Sequence, residues 1–226
     1  AHLPQYPTSG DVVYKVVTND GTPEALIALI GAKNVFSTQL PKMPKEYIVR
    51  LVMDRNHRTM VIQQQSTGRI IGGICYRPFS TQRFAEIVFC AITSVEQGRG
   101  YGRLIMAYLK EHVKNEGIDY FLTYADNFAI KYFAKQAFTK TITMNNDRWR
   151  SWIKDYDGAT LMECGIIKEV NYITMKKTIS EQKKAVNNRL AQISLSQRSW
   201  SLFQQYEAFQ QQNQIQNNTF MGDASI

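Results

Sequence analysis

The pattern of apolar and polar positions divides the chain into short runs of two kinds. Residues 12–17 are rich in β-branched side chains and predict a strand. Thr22-Pro23-Glu24 then offers an N-cap, a first-turn proline and a favourably placed acid, so a helix is expected to start there. Its apolar face reads as Leu26, Ile30, Val35 and Phe36, continuing past Gly31. A second helix is expected to open at Pro44, with Tyr47, Ile48, Leu51 and Val52 on one side. Three β runs follow, 60–64, 69–76 and 84–92, joined by short polar connections such as Ser66-Thr67-Gly68. That succession predicts an antiparallel meander.

After Gly102 the periodicity changes again. Leu104, Ile105, Tyr108, Leu109 and Val113 recur at helical spacing until Asn115-Glu116-Gly117, which predicts a long amphipathic helix. Residues 118–123 read as a short strand, 127–137 as a helix with Ile130, Phe133 and Ala134 inward, and 160–167 as a strand after the Asp157-Gly158 turn. The fold class is mixed α/β on one central sheet, without internal repeats. From residue 180 the composition shifts: 15 of the 47 residues to Ile226 are Gln or Asn. That apolar density is too low for an independent core, so residues 180–226 read as a C-terminal extension, partly helical or disordered. Val186, Leu190 and Ile193, then Leu202, Tyr206 and Phe209, keep helical spacing within it.

At 226 residues the chain holds one good-sized domain, or a domain with an appendage, and can bury a core without staples. Cys75, Cys90 and Cys164 are odd in number, widely spaced and set in apolar runs. They read as reduced core cysteines and not as a disulfide or zinc framework, which makes an intracellular setting the default and leaves no metal site. No apolar run approaches the roughly 18 residues that span a bilayer, and the first residues lack the blocks of a signal peptide. The net charge of +8 lies almost wholly in residues 1–179, with 23 Lys/Arg against 16 Asp/Glu. No arginine-rich block or aromatic-interleaved stripe accompanies it, so nucleic-acid binding is not expected as the main role. A basic surface equally suits a small polyanion.

Two features carry chemistry. Gln97-Gly98-Arg99-Gly100-Tyr101-Gly102 stands between a strand and an amphipathic helix. Glycines let backbone N–H groups close on phosphate oxygens, and the helix N-terminus aims its partial positive charge at the same point. The spacing fits neither a Rossmann nor a P-loop fingerprint. The second feature is Glu86. Strict alternation along 84–92 puts Phe84, Glu86, Val88, Cys90 and Ile92 on one face and Ala85, Ile87, Phe89 and Ala91 on the other. A carboxylate in apolar surroundings has a raised pKa and suits a base that takes a proton from an ammonium group. The competing reading is a structural ion pair with Arg83. Cys90 invites a covalent acyl-cysteine scheme, but no neighbouring base or cation is evident to make a thiolate. Tyr132 and Phe133 read equally as core aromatics, and Trp149 and Trp152 as core anchors.

The glycine turn matches the Gln/Arg-x-x-Gly-x-Gly/Ala cofactor motif of the GNAT N-acetyltransferase superfamily. "LPKMPKEYIVRLV" at 40–52, "IGGICYRPF" at 71–79, "FAEIVFCAITSVEQGRGYG" at 84–102, "YFLTYADNFAI" at 120–130 and "IKDYDGATLMEC" at 153–164 resemble its general-control class of histone lysine acetyltransferases. The resemblance covers roughly residues 11–179. It implies a mostly antiparallel central sheet flanked by helices, acetyl-CoA as cosubstrate, and direct acetyl transfer to a lysine of a histone tail in a ternary complex. It also implies Glu86 as general base and the backbone of Cys90, Ala91 and Ile92 along the pantetheine arm, with the Cys90 N–H toward the thioester oxygen. Gln97, Gly98, Arg99, Gly100, Tyr101 and Gly102 would hold the pyrophosphate, and Tyr132 and Phe133 would flank the CoA arm. Tyr124, Asp126, Asp155 and Tyr156 would receive the peptide. The partners implied are a histone tail, histone three first, and adaptor subunits of a coactivator complex, in the nucleus. A small-amine acetyltransferase and a cofactor-binding scaffold are the alternatives. Lys131 and Ala137 stand where the related enzymes usually have glycine, and no bromodomain is recognisable in 180–226.

Overall fold

The computed structural model describes residues 5–7 and 10–222 of the chain. It divides into two units, Ala1–Ile173 and Thr174–Ile226. The first is a seven-stranded sheet flanked by helices, the mixed α/β, mostly antiparallel architecture expected. In chain order its elements are β1 (Gln5–Pro7), β2 (Val12–Val17), α1 (Pro23–Gln39), α2 (Lys45–Met53), β3 (Arg58–Gln64), β4 (Ile70–Phe79) and β5 (Phe84–Ile92). There follow α3 (Tyr101–Lys114), β6 (Tyr120–Ala125), α4 (Ala129–Lys135), the single turn α5 (Asn146–Trp149) and β7 (Thr160–Gly165). The strands lie in sequence order; every neighbouring pair is antiparallel except β5 with β6. The parallel pair is the expected consequence of the α3 crossover between them.

One face of the sheet packs on α3, where Ile105, Met106, Leu109 and Val113 meet Tyr14, Ile62, Ile74 and Ile87. The other packs on α1 and α2 through Leu29, Phe36, Ile48 and Val52 against Val61, Cys75 and Phe89. Being covered on both faces, the middle strands read as continuous apolar runs. The inward face of α1 includes Val35 and Phe36 as expected and differs from the expected one over its first half. Ala25, Ala28, Leu29, Ala32, Val35 and Phe36 are buried, while Ile30 is 47% exposed. Small side chains bring α1 close to the sheet; a Cβ on Gly31 would stand 2.6 Å from Ile70. Thr22 caps this helix as expected, its hydroxyl accepting from Ala25 N–H at 3.3 Å.

Strand β5 departs from strict alternation. Cys75 pairs with Phe89 and Tyr76 with Ile87, which leaves Val88 as the extra residue of a β-bulge. The bulge reverses the faces beyond it. Ala85 and Ile87 share the α3 side with Cys90 and Ile92, whereas Phe89 and Ala91 face α1 and α2. The expected grouping of Glu86 with Cys90, and of Ile87 with Phe89, is therefore corrected.

Helix α4 is shorter than predicted because a turn precedes it and a left-handed residue ends it within the expected span. Asp126 Oδ1 accepts from the N–H groups of Phe128 (2.9 Å) and Ala129 (2.7 Å) at the start. At the end Ala137 takes φ +68°, and Phe138 N–H returns to Phe133 C=O at 3.0 Å, which buries Phe138. Ala134, expected inward, is exposed. A left-handed conformation costs a non-glycine residue about 1–2 kcal/mol. Glycine's greater loss of chain entropy recovers only part of that. Ala137→Gly is thus expected to stabilise the fold by about 1 kcal/mol, read as a higher denaturant midpoint at unchanged slope.

Trp149 packs beside Phe79, Phe84 and Leu122, but Trp152 is 46% exposed with its edge on Phe79, so only the former is a core anchor. All three cysteines are free thiols, Cys75 and Cys164 buried and Cys90 partly so. The second unit contains α6 (Met175–Gly222), one 48-residue helix that takes in the helically spaced apolar positions of the extension. Residues 223–226 lie outside the described residues. No helix among the described residues is long and apolar enough to cross a membrane.

Candidate active site

The pairing of β5 with β6 ends at Ile87 and Thr123, yet β5 runs on to Ile92 beside β4 and β6 runs on to Ala125 beside β7. Past that point the two strands part. A cavity of about 280 Å³ lies in the wedge, lined by Glu86 to Cys90 on one side and Thr123, Tyr124, Asp126, Ala129 and Phe133 on the other. Leu40 and Met43 wall it from the α1–α2 connection, Tyr47 from α2, and residues 156–159 from the segment before β7. A second cavity of about 370 Å³ shares Leu40 and Cys90 with the first and extends along Ile92, Gln97, Gly98, Tyr101 and Gly102 to Tyr132.

Glu86 is 7% exposed. Burial is the larger influence on it and pushes its pKa from 4.5 up to about 7, against a smaller opposing pull from Arg77. Arg77 stands opposite it in the β4–β5 register and lies over the Phe79 ring. The structural ion-pair alternative fails on geometry, since Arg83 sits in the left-handed region and directs its guanidinium to Asp119 at 2.7 Å. Around Glu86 stand three phenols. The Tyr47 and Tyr156 hydroxyls are hydrogen-bonded to each other, the Tyr124 and Tyr156 rings meet edge to face at 5.4 Å, and the Tyr124 phenol stands beside the Asp155 carboxylate. Tyr124 is pushed up to about 12, by burial first and then by Asp155.

Burial also pushes the Cys90 thiol up to about 11; its nearest polar partner is the Tyr132 hydroxyl at 3.7 Å. A thiol held neutral beside a neutral phenol is a poor nucleophile. Tyr132 in turn donates to Gly102 C=O at 2.8 Å, tying α4 to the glycine turn. Gly98 and Gly100 adopt φ of +79° and +86°, and no atom lies within 4 Å of where their Cβ would stand. The turn therefore needs glycine for its backbone shape and leaves open space before the N-terminus of α3, whose N-cap is Gly100. These features fit a pyrophosphate.

The candidate residues divide between the two cavities. Glu86, Tyr124, Asp126, Phe133 and Tyr156 line the first; Ala91, Ile92, Gln97, Gly98, Tyr101, Gly102 and Tyr132 line the second, and Cys90 lines both. The Gln97 amide donates to Ile92 C=O at 2.9 Å. Arg99 turns aside to Glu96 at 3.0 Å, and Asp155 meets the site through Tyr124 and through Tyr156, whose N–H its carboxylate accepts at 2.9 Å. Leu40, Met43, Tyr47 and Thr123 were not singled out by the sequence reading. Tyr47 is one more aromatic on a helix face, and nothing local marks Thr123 as the end of a strand pair. Among the described residues no group of three or more His, Cys, Asp or Glu could hold a metal ion.

Residues 25–138 match the model of the acetyltransferase (GNAT) family. The chain is 48% identical over 187 residues to histone acetyltransferase GCN5 of Oryza sativa subsp. japonica, covering 82% of this chain and 36% of that protein. It thus spans well under half the length of the curated relatives it matches. Among solved structures it is similar to Tetrahymena GCN5, at 55% identity and TM-score 0.68, over 70% of this chain and 99% of that one. The catalytic domain of the Tetrahymena enzyme in complex with coenzyme A is similar at 53% identity and TM-score 0.60, over 73% and 99%.

Proposed function

The chain belongs to the acetyltransferase (GNAT) family, and on that footing we propose that it transfers acetyl from acetyl-CoA to the lysine Nε of a histone tail. The observation that carries this reading is a buried carboxylate poised near pH 7 in one cavity, adjoining at Cys90 a second cavity that ends on the glycine turn. A lysine is protonated at neutral pH and must lose a proton before it can attack. Glu86 takes that proton, directly or through one water. The amine, once neutral, attacks the thioester carbon, and CoA leaves as its thiolate.

On the cofactor side Gln97 to Gly102 hold the pyrophosphate, the backbone of Cys90 to Ile92 runs along the pantetheine arm, and Tyr132 and Phe133 flank it. The Cys90 N–H is the donor assigned to the thioester oxygen. On the acceptor side Tyr124, Asp126, Asp155 and Tyr156 receive the peptide. Asp126 and Asp157 line the cavity that holds Glu86, which suits a basic tail. The tail of histone three, adaptor subunits of a coactivator complex and a nuclear setting extend the same reading.

The test is incubation with labelled acetyl-CoA and a panel of histone-tail peptides and polyamines, followed by mapping of the label by mass spectrometry. A labelled lysine in a tail peptide is expected. Label on polyamines alone would move the chain to the small-amine class, and bound cofactor without transfer would make it a scaffold. Cys90→Ala is expected to keep turning over; its inactivity, with acetyl trapped on Cys90 in the parent, would replace direct transfer by a covalent route.

A further inference from the structure

Thr123 is 2% exposed, and its hydroxyl donates to the Ile87 carbonyl at 2.9 Å. That carbonyl belongs to the peptide group joining Ile87 to Val88. Glu86 precedes this group, Val88 is the bulge residue after it, and Cys90 lies two residues beyond. Ile87 and Thr123 are also the last paired residues before β5 and β6 part around the first cavity, which Thr123 itself lines. One side-chain bond therefore holds the peptide plane at which the pairing stops and the faces of β5 reverse. A bulge leaves its extra residue without a ladder partner, so some other contact has to fix the direction in which the chain turns.

We propose that Thr123 is a positioning residue for acetyl transfer: its bond to Ile87 holds the bulge so that the Glu86 carboxylate and the Cys90 backbone face the same reacting atoms. The inference rests on the function proposed above. Without the hydroxyl, the Ile87 carbonyl loses a buried partner, and the peptide plane rotates or the two strands pair further into the wedge. Either movement displaces the base relative to the backbone donor. Displacements of about 1 Å at a reacting centre cost on the order of 100-fold in rate.

The experiment compares Thr123→Val, which keeps the shape and removes the donor, with Thr123→Ser, which keeps the donor. kcat and the KM for acetyl-CoA are measured below the onset of melting of each variant. The valine variant is expected to lose about 10-fold or more in kcat, and the serine variant to stay within about threefold of the parent. A purely structural threonine would lower the melting temperature in both and leave kcat per folded molecule unchanged. An active parent with an equally active Thr123→Val overturns the proposal. Where the valine variant does not fold, Thr123→Ala, which also removes the donor, takes its place: a loss of about 10-fold or more in kcat supports the proposal, and parent-like turnover overturns it. A parent that binds CoA but transfers nothing refutes the function on which the inference rests.

Discussion

Glu86→Gln is expected to bind CoA as the parent does and to lose acetyl transfer by about 10²- to 10⁴-fold at neutral pH, the usual worth of a positioned base. The two effects separate because the cavity running from Cys90 to the glycine turn does not include Glu86 among its walls. The parent should show kcat/KM rising about tenfold per pH unit up to about pH 7 and then levelling, as the carboxyl ionises. Its raised pKa means that the acid form, which cannot accept a proton, persists into the weakly acidic range. The glutamine variant should lack that limb. Stopped turnover over pH 5.5–9, with CoA binding measured in parallel by calorimetry, checks both (the range being roughly 1.5–2 units either side of the expected pKa). A glutamine variant as active as the parent at pH 7.5 would remove Glu86 from the mechanism, whatever its burial.

Much of this site was legible in the chain itself, and the part that was not has a common cause. Strand β5 was expected over the residues where it is found, because an apolar run with β-branched residues, bounded by turns, has little other use. The glycine turn was legible because Gly98 and Gly100 take backbone shapes that other residues resist. The bulge at Val88 was not, since neither glycine nor proline marks it. The choice of Asp119 over Glu86 by Arg83 depends on a residue 36 positions away. The same separation hides the bond between Thr123 and Ile87. Helix α1 misled for another reason. Its first half carries Ile27 and Ile30 on the side away from the sheet and buries Ala25, Ala28 and Ala32 beside Leu29, so apolar spacing pointed the wrong way there, while Val35 and Phe36 lie inward as expected. Residue chemistry also left Glu86 open between base and ion pair, and the position of Arg83 was what removed the second reading.

The same substitution that removes activity is expected to make the protein more stable above neutral pH. The Glu86 carboxyl has an ordinary pKa of 4.5 and is raised by burial to about 7 in the folded chain. Below pH 4.5 it is protonated in both states and contributes no difference. Between about pH 4.5 and 7 the folded state binds more protons at this site than the unfolded state, so stability falls as pH rises, and above 7 the deficit is complete. At roughly 1.4 kcal/mol per pH unit, the deficit is on the order of 3 kcal/mol. Glutamine does not titrate, and Glu86→Gln should therefore match the parent more closely at pH 4 than at pH 8, gaining up to about 3 kcal/mol across that interval. Denaturant titrations of both proteins at several pH values measure it, and taking the difference between them cancels groups such as Asp54 and His57 whose pKa values also depart from the ordinary. A difference that does not change with pH would mean that the carboxyl ionises as easily folded as unfolded. The acidic limb of the rate profile should then fall well below pH 7 as well, so the equilibrium and kinetic experiments must agree on one pKa.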